Sequence, residues 1–157
     1  MKYVCPLVVV KDVKIARNFY ENLLGQKVKY DFGENVTFEG DFSIHLEEHY
    51  EKLLGERNCR ILRKSKDFEL YFETEEIDKV FSELKENEVE FLHEIREQPW
   101  GQRVMRFYDP DFHIIEVGET MESIVIRYYR TGMSTEDICN KTSMPKEFVE
   151  NYVEFIE

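Results

Sequence analysis

The sequence predicts an α+β fold built from two consecutive β-α-β-β-β modules, followed by a small helical appendage. The first observation behind this is an order of patterns. A β-branched run, an amphipathic helix and three short alternating runs follow one another between Tyr3 and Glu47. The second is that the same order restarts near Phe68 and ends near Val117. The third is that the residues after Gly118 carry only helix-period runs and helix-start residues.

The elements follow in order. Tyr3 to Val10 is a strand, and Asp12 opens a helix whose apolar positions Ile15, Ala16, Phe19, Tyr20, Leu23 and Leu24 recur at helical spacing up to Gly25. Val28 to Phe32, Val36 to Glu39 and Phe42 to Glu47 form a meander across the turns Gly33-Glu34-Asn35 and Gly40-Asp41. A polar connector from Glu48 to Lys66 is expected to hold a short helix around Tyr50 to Leu54 and a strand at Cys59 to Leu62. Its basic residues Arg57, Arg60, Arg63, Lys64 and Lys66 read most simply as a solvated run among acidic neighbours. The second module offers a strand at Phe68 to Phe72, a helix at Glu75 to Lys85 with Ile77, Val80, Phe81 and Leu84 inward, and a strand at Val89 to Ile95. A closing hairpin turns at Asp109-Pro110-Asp111.

An offset of 64 residues lays Asp12-Val13 on Glu76-Ile77 and Ala16 on Val80. The same offset pairs Cys5 with Glu69 and Val8 with Phe72, so in alternating strands Cys5 and Glu69 point away from the packed helix. The ends of the meanders correspond as well, which gives Glu116 a counterpart in Glu47 with one residue of slack. A carboxylate such as Glu116 among Ile114, Ile115 and Val117 requires either an outward face or a cavity to enter.

Composition narrows the function classes. With 42% hydrophobic and 34% charged residues, the chain of 157 residues suits one soluble domain with a small appendage. No apolar run is long enough for a membrane span and no cleavage signal follows the first strand, so cytoplasmic residence is expected. Three widely spaced cysteines, Cys5, Cys59 and Cys139, give neither a disulfide framework nor a paired-cysteine zinc motif. A net charge of −12 argues against nucleic acid and anionic membranes, and leaves cationic or neutral small ligands open.

Two stretches resemble the vicinal oxygen chelate superfamily, which includes glyoxalase I, extradiol dioxygenases, fosfomycin-resistance transferases and bleomycin-binding proteins. They are Val8-Val9-Val10-Lys11-Asp12 with Ala16 to Gly25, and Pro99-Trp100-Gly101 through Phe107-Tyr108-Asp109-Pro110-Asp111 to Ile115-Glu116. The resemblance implies a domain over 1–118, with modules 1–56 and 67–118, whose mixed sheet curls open around a cleft, and a homodimer. It also implies that metal-dependent members place ligands on the first and last strand of each module. Carried over, those positions are Cys5, Glu69, Glu116 and either Glu47 or His45, so Glu47, Glu69 and Glu116 are the candidate ligands of a divalent ion such as magnesium, manganese or zinc. Tyr71 and Trp100 are candidates for an aromatic wall of the same cleft. Phe112 stands where the family's turn usually carries glycine, so a positive φ there would strain the turn. His113, in the same turn, is expected on the helix side, opposite Glu116.

The tail, 119–157, has its own pattern. Ile124, Val125, Tyr128 and Tyr129 mark a helix ending at Gly132, Ser134 with Asp137 forms a capping box, and Ser143 with Pro145 opens a helix carrying Phe148, Val149, Tyr152, Val153 and Ile156. Its shape resembles a helix-turn-helix, but eight acidic against four basic residues oppose DNA binding. Three functions are therefore carried forward. The leading one is a binding protein for a cationic or neutral small molecule in an acidic cleft. The others are a metal-dependent lyase, isomerase or dioxygenase of the superfamily, and a ligand-responsive interaction protein acting through its tail.

Overall fold

The computed structural model describes residues 1–55 and 61–154. Strands β1 (Leu7–Val10), β2 (Val28–Asp31), β3 (Asn35–Phe38) and β4 (Ser43–Leu46) form a sheet in the order β1-β4-β3-β2. β1 runs parallel to β4, and the meander is antiparallel. The expected strand from Tyr3 is shortened to begin at Leu7, because Pro6 has no N–H for the ladder, although its carbonyl still accepts from Ser43 N at 3.0 Å.

Asp12 caps helix α1 (Val13–Arg17) by accepting from Lys14 N at 2.7 Å and Ile15 N at 3.1 Å. The expected single α-helix through Leu24 changes character at Asn18. Residues Asn18–Leu23 form a π-helical segment, with Leu24 N bonded to Phe19 O at 3.1 Å. This segment presents Tyr20, fully buried, to Phe38 and Phe42 at ring separations of 5.7 and 5.1 Å.

A second correction concerns Glu47. It is not the end of a strand but the first residue of helix α2 (Glu47–Leu54), which begins earlier than the expected Tyr50. Glu47 and Glu48 suit the positive end of the helix dipole there. Half of the expected Cys59–Leu62 strand lies outside the described residues, and Ile61 and Leu62 are in no strand.

The second module repeats the plan with β5 (Glu69–Thr74), helix α3 (Ile77–Glu86), β6 (Phe91–Glu97), β7 (Arg103–Tyr108) and β8 (Ile114–Glu119), in the order β5-β8-β7-β6. Phe81 of α3 meets Phe91 of β6 at 5.4 Å, and Phe91 meets Phe107 of β7 at 5.8 Å, so α3 covers the sheet face that carries Phe91 and Phe107.

The chain forms two compact units, 1–69 with 108–114, and 70–107 with 115–157. In the first, the turn 108–114 is organised by buried Asp109, which accepts from Tyr20 Oη and His113 Nδ1, both at 2.8 Å, and from the backbone N–H groups of Asp111 and His113. Burial and this carboxylate push the Tyr20 phenol far above its ordinary pKa, so it stays a neutral donor. Phe112 does take a positive φ, +68°. A strain of about 1–2 kcal/mol for a non-glycine residue is offset by ring contacts to Tyr108 and to the Lys64 ammonium, 4.8 Å from the ring centroid.

The tail belongs to the second unit. Helices α4 (Met121–Arg130), α5 (Thr135–Thr142) and α6 (Lys146–Glu154) close around Ile124, Val125, Tyr128, Ile138, Val149 and Val153. The capping box forms as expected, with Ser134 Oγ accepting from Asp137 N at 3.2 Å. Ile156 lies outside the described residues. No helix among the described residues is long and apolar enough to cross a membrane.

Candidate functional site

Alternation gives each sheet one apolar, helix-packed face and one polar face. In the first sheet Val36 pairs with Ile44 on the side of the Tyr20 cluster, so Thr37 with Ser43 and Asn35 with His45 lie on the other. There the Ser43 hydroxyl meets Cys5 Sγ at 3.3 Å and Thr37 Oγ1 at 2.8 Å. Beside them runs a second chain, in which the Asn35 amide donates to His45 Nδ1 at 3.1 Å and His45 Nε2 lies 2.9 Å from Nδ1 of His49, on α2. Glu34 stands 3.4 Å from the same His49 nitrogen. With Nδ1 accepting, a neutral His45 carries its proton on Nε2 and donates it to His49.

Burial, then the neighbouring His49 imidazole, lower the His45 pKa from its ordinary 6.5. The unfolded chain thus takes up this proton more readily than the folded one. The stability His45 contributes is complete above about pH 6.5 and is lost as pH falls through the lowered folded value. Denaturant titrations between about pH 7.5 and 5.5 should show this loss, and His45→Gln should flatten it. An unchanged slope in that variant would assign the effect elsewhere.

In the second sheet Phe107 faces α3, so Arg106 and Gln102 lie on the opposite side of β7. Gln102 is buried and organises this face. Its Nε2 donates to Tyr71 Oη and to Glu119 O, both at 2.8 Å, and its Oε1 accepts from Trp100 Nε1 at 3.1 Å. A Cβ at Gly118 would lie 2.8 Å from that Nε2, so the amide passes over β8 only because residue 118 has no side chain. Tyr71 donates to Glu73 at 2.8 Å, and burial together with this carboxylate pushes its pKa up to about 12. Further along, Glu116 is buried and ion-paired with Arg106, whose Nη1 is 3.3 Å from His93 Nε2.

Of the residues singled out by sequence, Tyr71 and Trp100 are brought together through Gln102, and Cys5 and His45 share the polar face of the first sheet. Glu69 opens β5 and is exposed. Glu47 leaves the strand for α2 and is ion-paired with Arg63. Arg63 itself is not a solvated connector residue. It also reaches Asp111 at 3.2 Å and Val9 O at 3.4 Å. His113 bonds Asp109 rather than serving a cleft. The sequence does not single out Gln102, Arg106 and Asn35, whose roles depend on strand register, or His49, whose role depends on where α2 begins.

The donor set does not fit a divalent ion as placed. Glu116 and Glu47 are each ion-paired with a guanidinium, Arg106 and Arg63. Among the described residues, no group of three or more His, Cys, Asp or Glu side chains is arranged to hold a metal. Nor is any base hydrogen-bonded to Cys5 Sγ among them, as an activated thiol would require.

Residues 3–122 match the family described as the glyoxalase-like domain. A crystal structure of a protein of unknown function from Agrobacterium tumefaciens str. C58 is 38% identical, with a TM-score of 0.68 over 77% of this chain and 95% of that one. The uncharacterized protein YraH of Bacillus subtilis (strain 168) is 28% identical over 124 residues, 74% of this chain and 97% of YraH. The fosfomycin resistance protein FosX from Listeria monocytogenes, solved with Mn(II) and sulfate, is 22% identical with a TM-score of 0.59, over 81% of this chain and 97% of FosX. At that identity the likeness is one of fold.

Proposed function

The chain belongs to the glyoxalase-like domain family, and from that membership we propose that it binds a small cationic or neutral molecule on the polar face of its second sheet. The observation that carries this reading is the buried Gln102 amide, which fixes two large aromatic side chains, Tyr71 and Trp100, that remain 47% and 46% exposed. Large rings held in place yet left half-open are suited to stacking on a flat ligand or to attracting an organic cation over their π-faces. Glu73, and Glu69 at the start of β5, add negative charge along the same strand face. Arg106 offsets Glu116, so a neutral ligand with a polar edge is served as well as a cation.

Trp100 is the only tryptophan, so its emission reports directly on this face. Titration with organic cations that carry a flat ring system, bleomycin among them, is expected to change that emission and to raise the melting temperature. Trp100→Ala should lose the thermal shift, and Trp100→Phe should keep most of it. If no member of the panel alters the emission, or if the shift survives Trp100→Ala, the aromatic face is not the binding surface.

A further inference from the structure

A cavity lies on the opposite side of the second sheet from the aromatic face, where the tail meets the α3 side. It measures about 800 Å³, within the usual range for small-ligand sites. Helix α4 divides its faces between two tasks. Ile124, Val125 and Tyr128 fill the tail core, while Ser123, Ile126, Arg127 and Arg130, spaced at one helical face, line the cavity.

Its floor is a buried carboxylate between two guanidiniums. Glu119 accepts from Arg103 Nε at 2.8 Å and Arg103 N at 3.0 Å, and from Arg127 Nε at 3.1 Å and Nη2 at 2.9 Å. Both arginines are thereby held rigid. The rim carries both signs, and Glu122 and Arg130 stand eight residues apart on α4, about 12 Å along its axis. Arg130 is exposed and makes no ion pair among the described residues, while Glu75 and Glu122 bring negative charge, Glu122 accepting from Tyr152 Oη at 2.9 Å.

A simple anion entering here would meet Glu75 and Glu122, and a simple cation would meet three arginines. A molecule carrying both charges a few bonds apart satisfies both sides and leaves neither desolvated without a partner. Ile126 and the Tyr152 ring leave apolar surface for a short side chain. We propose that this cavity binds a small zwitterion, an α-amino acid or short peptide, with its carboxylate on Arg130 and its ammonium between Glu75 and Glu122. No side chain assigned to the aromatic face lines this cavity, and the two adjoin only where Gln102 Nε2 bonds Glu119 O at 2.8 Å, so variants at Trp100 and at Arg130 test them separately.

Calorimetric titration of the full chain with alanylalanine, its N-acetyl derivative and its C-terminal amide tests this, since the three share a body and differ only in charge. The dipeptide is expected to bind, with each capped form at least about ten-fold weaker. Arg130→Gln and Glu75→Gln should each weaken the dipeptide by a similar factor. Both residues are exposed, so the unfolding midpoint should be unchanged in either variant. Absence of saturable dipeptide binding, equal binding of the three forms, or undiminished binding in Arg130→Gln would overturn the proposal.

Discussion

Replacing Gly101 with alanine is expected to destabilise the protein by about 3 kcal/mol, combining left-handed strain with overpacking. Gly101 sits at φ +87° in the turn between β6 and β7, and a Cβ there would lie 2.6 Å from Tyr128 Oη and 2.7 Å from Cε2. Tyr128 cannot simply move aside. It is part of the tail core, donates to Glu97 at 2.9 Å, and lies beside Arg127, which bonds Gly101 O at 2.5 Å. The damage should therefore appear first as lost amide protection in α4 to α6, ahead of global unfolding. A denaturation midpoint within error of the parent, with unchanged exchange in the tail, would show that the turn does not seat the tail.

Glu119→Ala is the second large effect, expected at about 3 kcal/mol because it removes the buried member of an ion-paired cluster and leaves Arg103 and Arg127 without their common partner. Glu119→Gln, which keeps the shape and some of the hydrogen bonds, should cost less. Burial alone would raise the Glu119 pKa, but the hydrogen bonds from Arg127 and Arg103 outweigh it and hold the group below its ordinary 4.5. Its contribution is thus present above that value and is lost as pH falls through the lower folded value. Acid titration of the parent and Glu119→Gln should converge at low pH. Curves that stay parallel would mean that the carboxylate charge contributes nothing.

What could be read from the sequence was local. Asp12 and Ser134 announced helix starts because a cap is a contact between neighbours in the chain, and the apolar and alternating runs overlap the strands β1 to β6 without any knowledge of their partners. Glu47 was misplaced for the corresponding reason. Helix α2 has Leu46 at its N-cap and no side-chain cap, so nothing marked the end of the alternating run Phe42 to Glu47. The π-helical segment was equally silent, since its apolar residues fit an α-helical reading, and Tyr20 is tied to Asp109, 89 residues away. Glu116 was recognised as a carboxylate that needed a reason, but the reason, Arg106, depends on how β7 lies against β8. Gln102 is the same case. Its three partners come from two strands and a turn, and no spacing in the sequence connects them.

Strand β8 carries a constraint on how this protein can change over evolutionary time. Its even-numbered residues Glu116 and Gly118 serve the polar face, and Glu119 at its end belongs to the α3 side and the tail. Substitution at any one position disturbs one side only. Insertion or deletion of a single residue between Glu116 and Glu119 would exchange the two sets, withdrawing the buried carboxylate from Arg103 and Arg127 and putting a side chain where Gln102 must pass. In this strand length is a harder limit than identity, and any viable change of length must come in pairs.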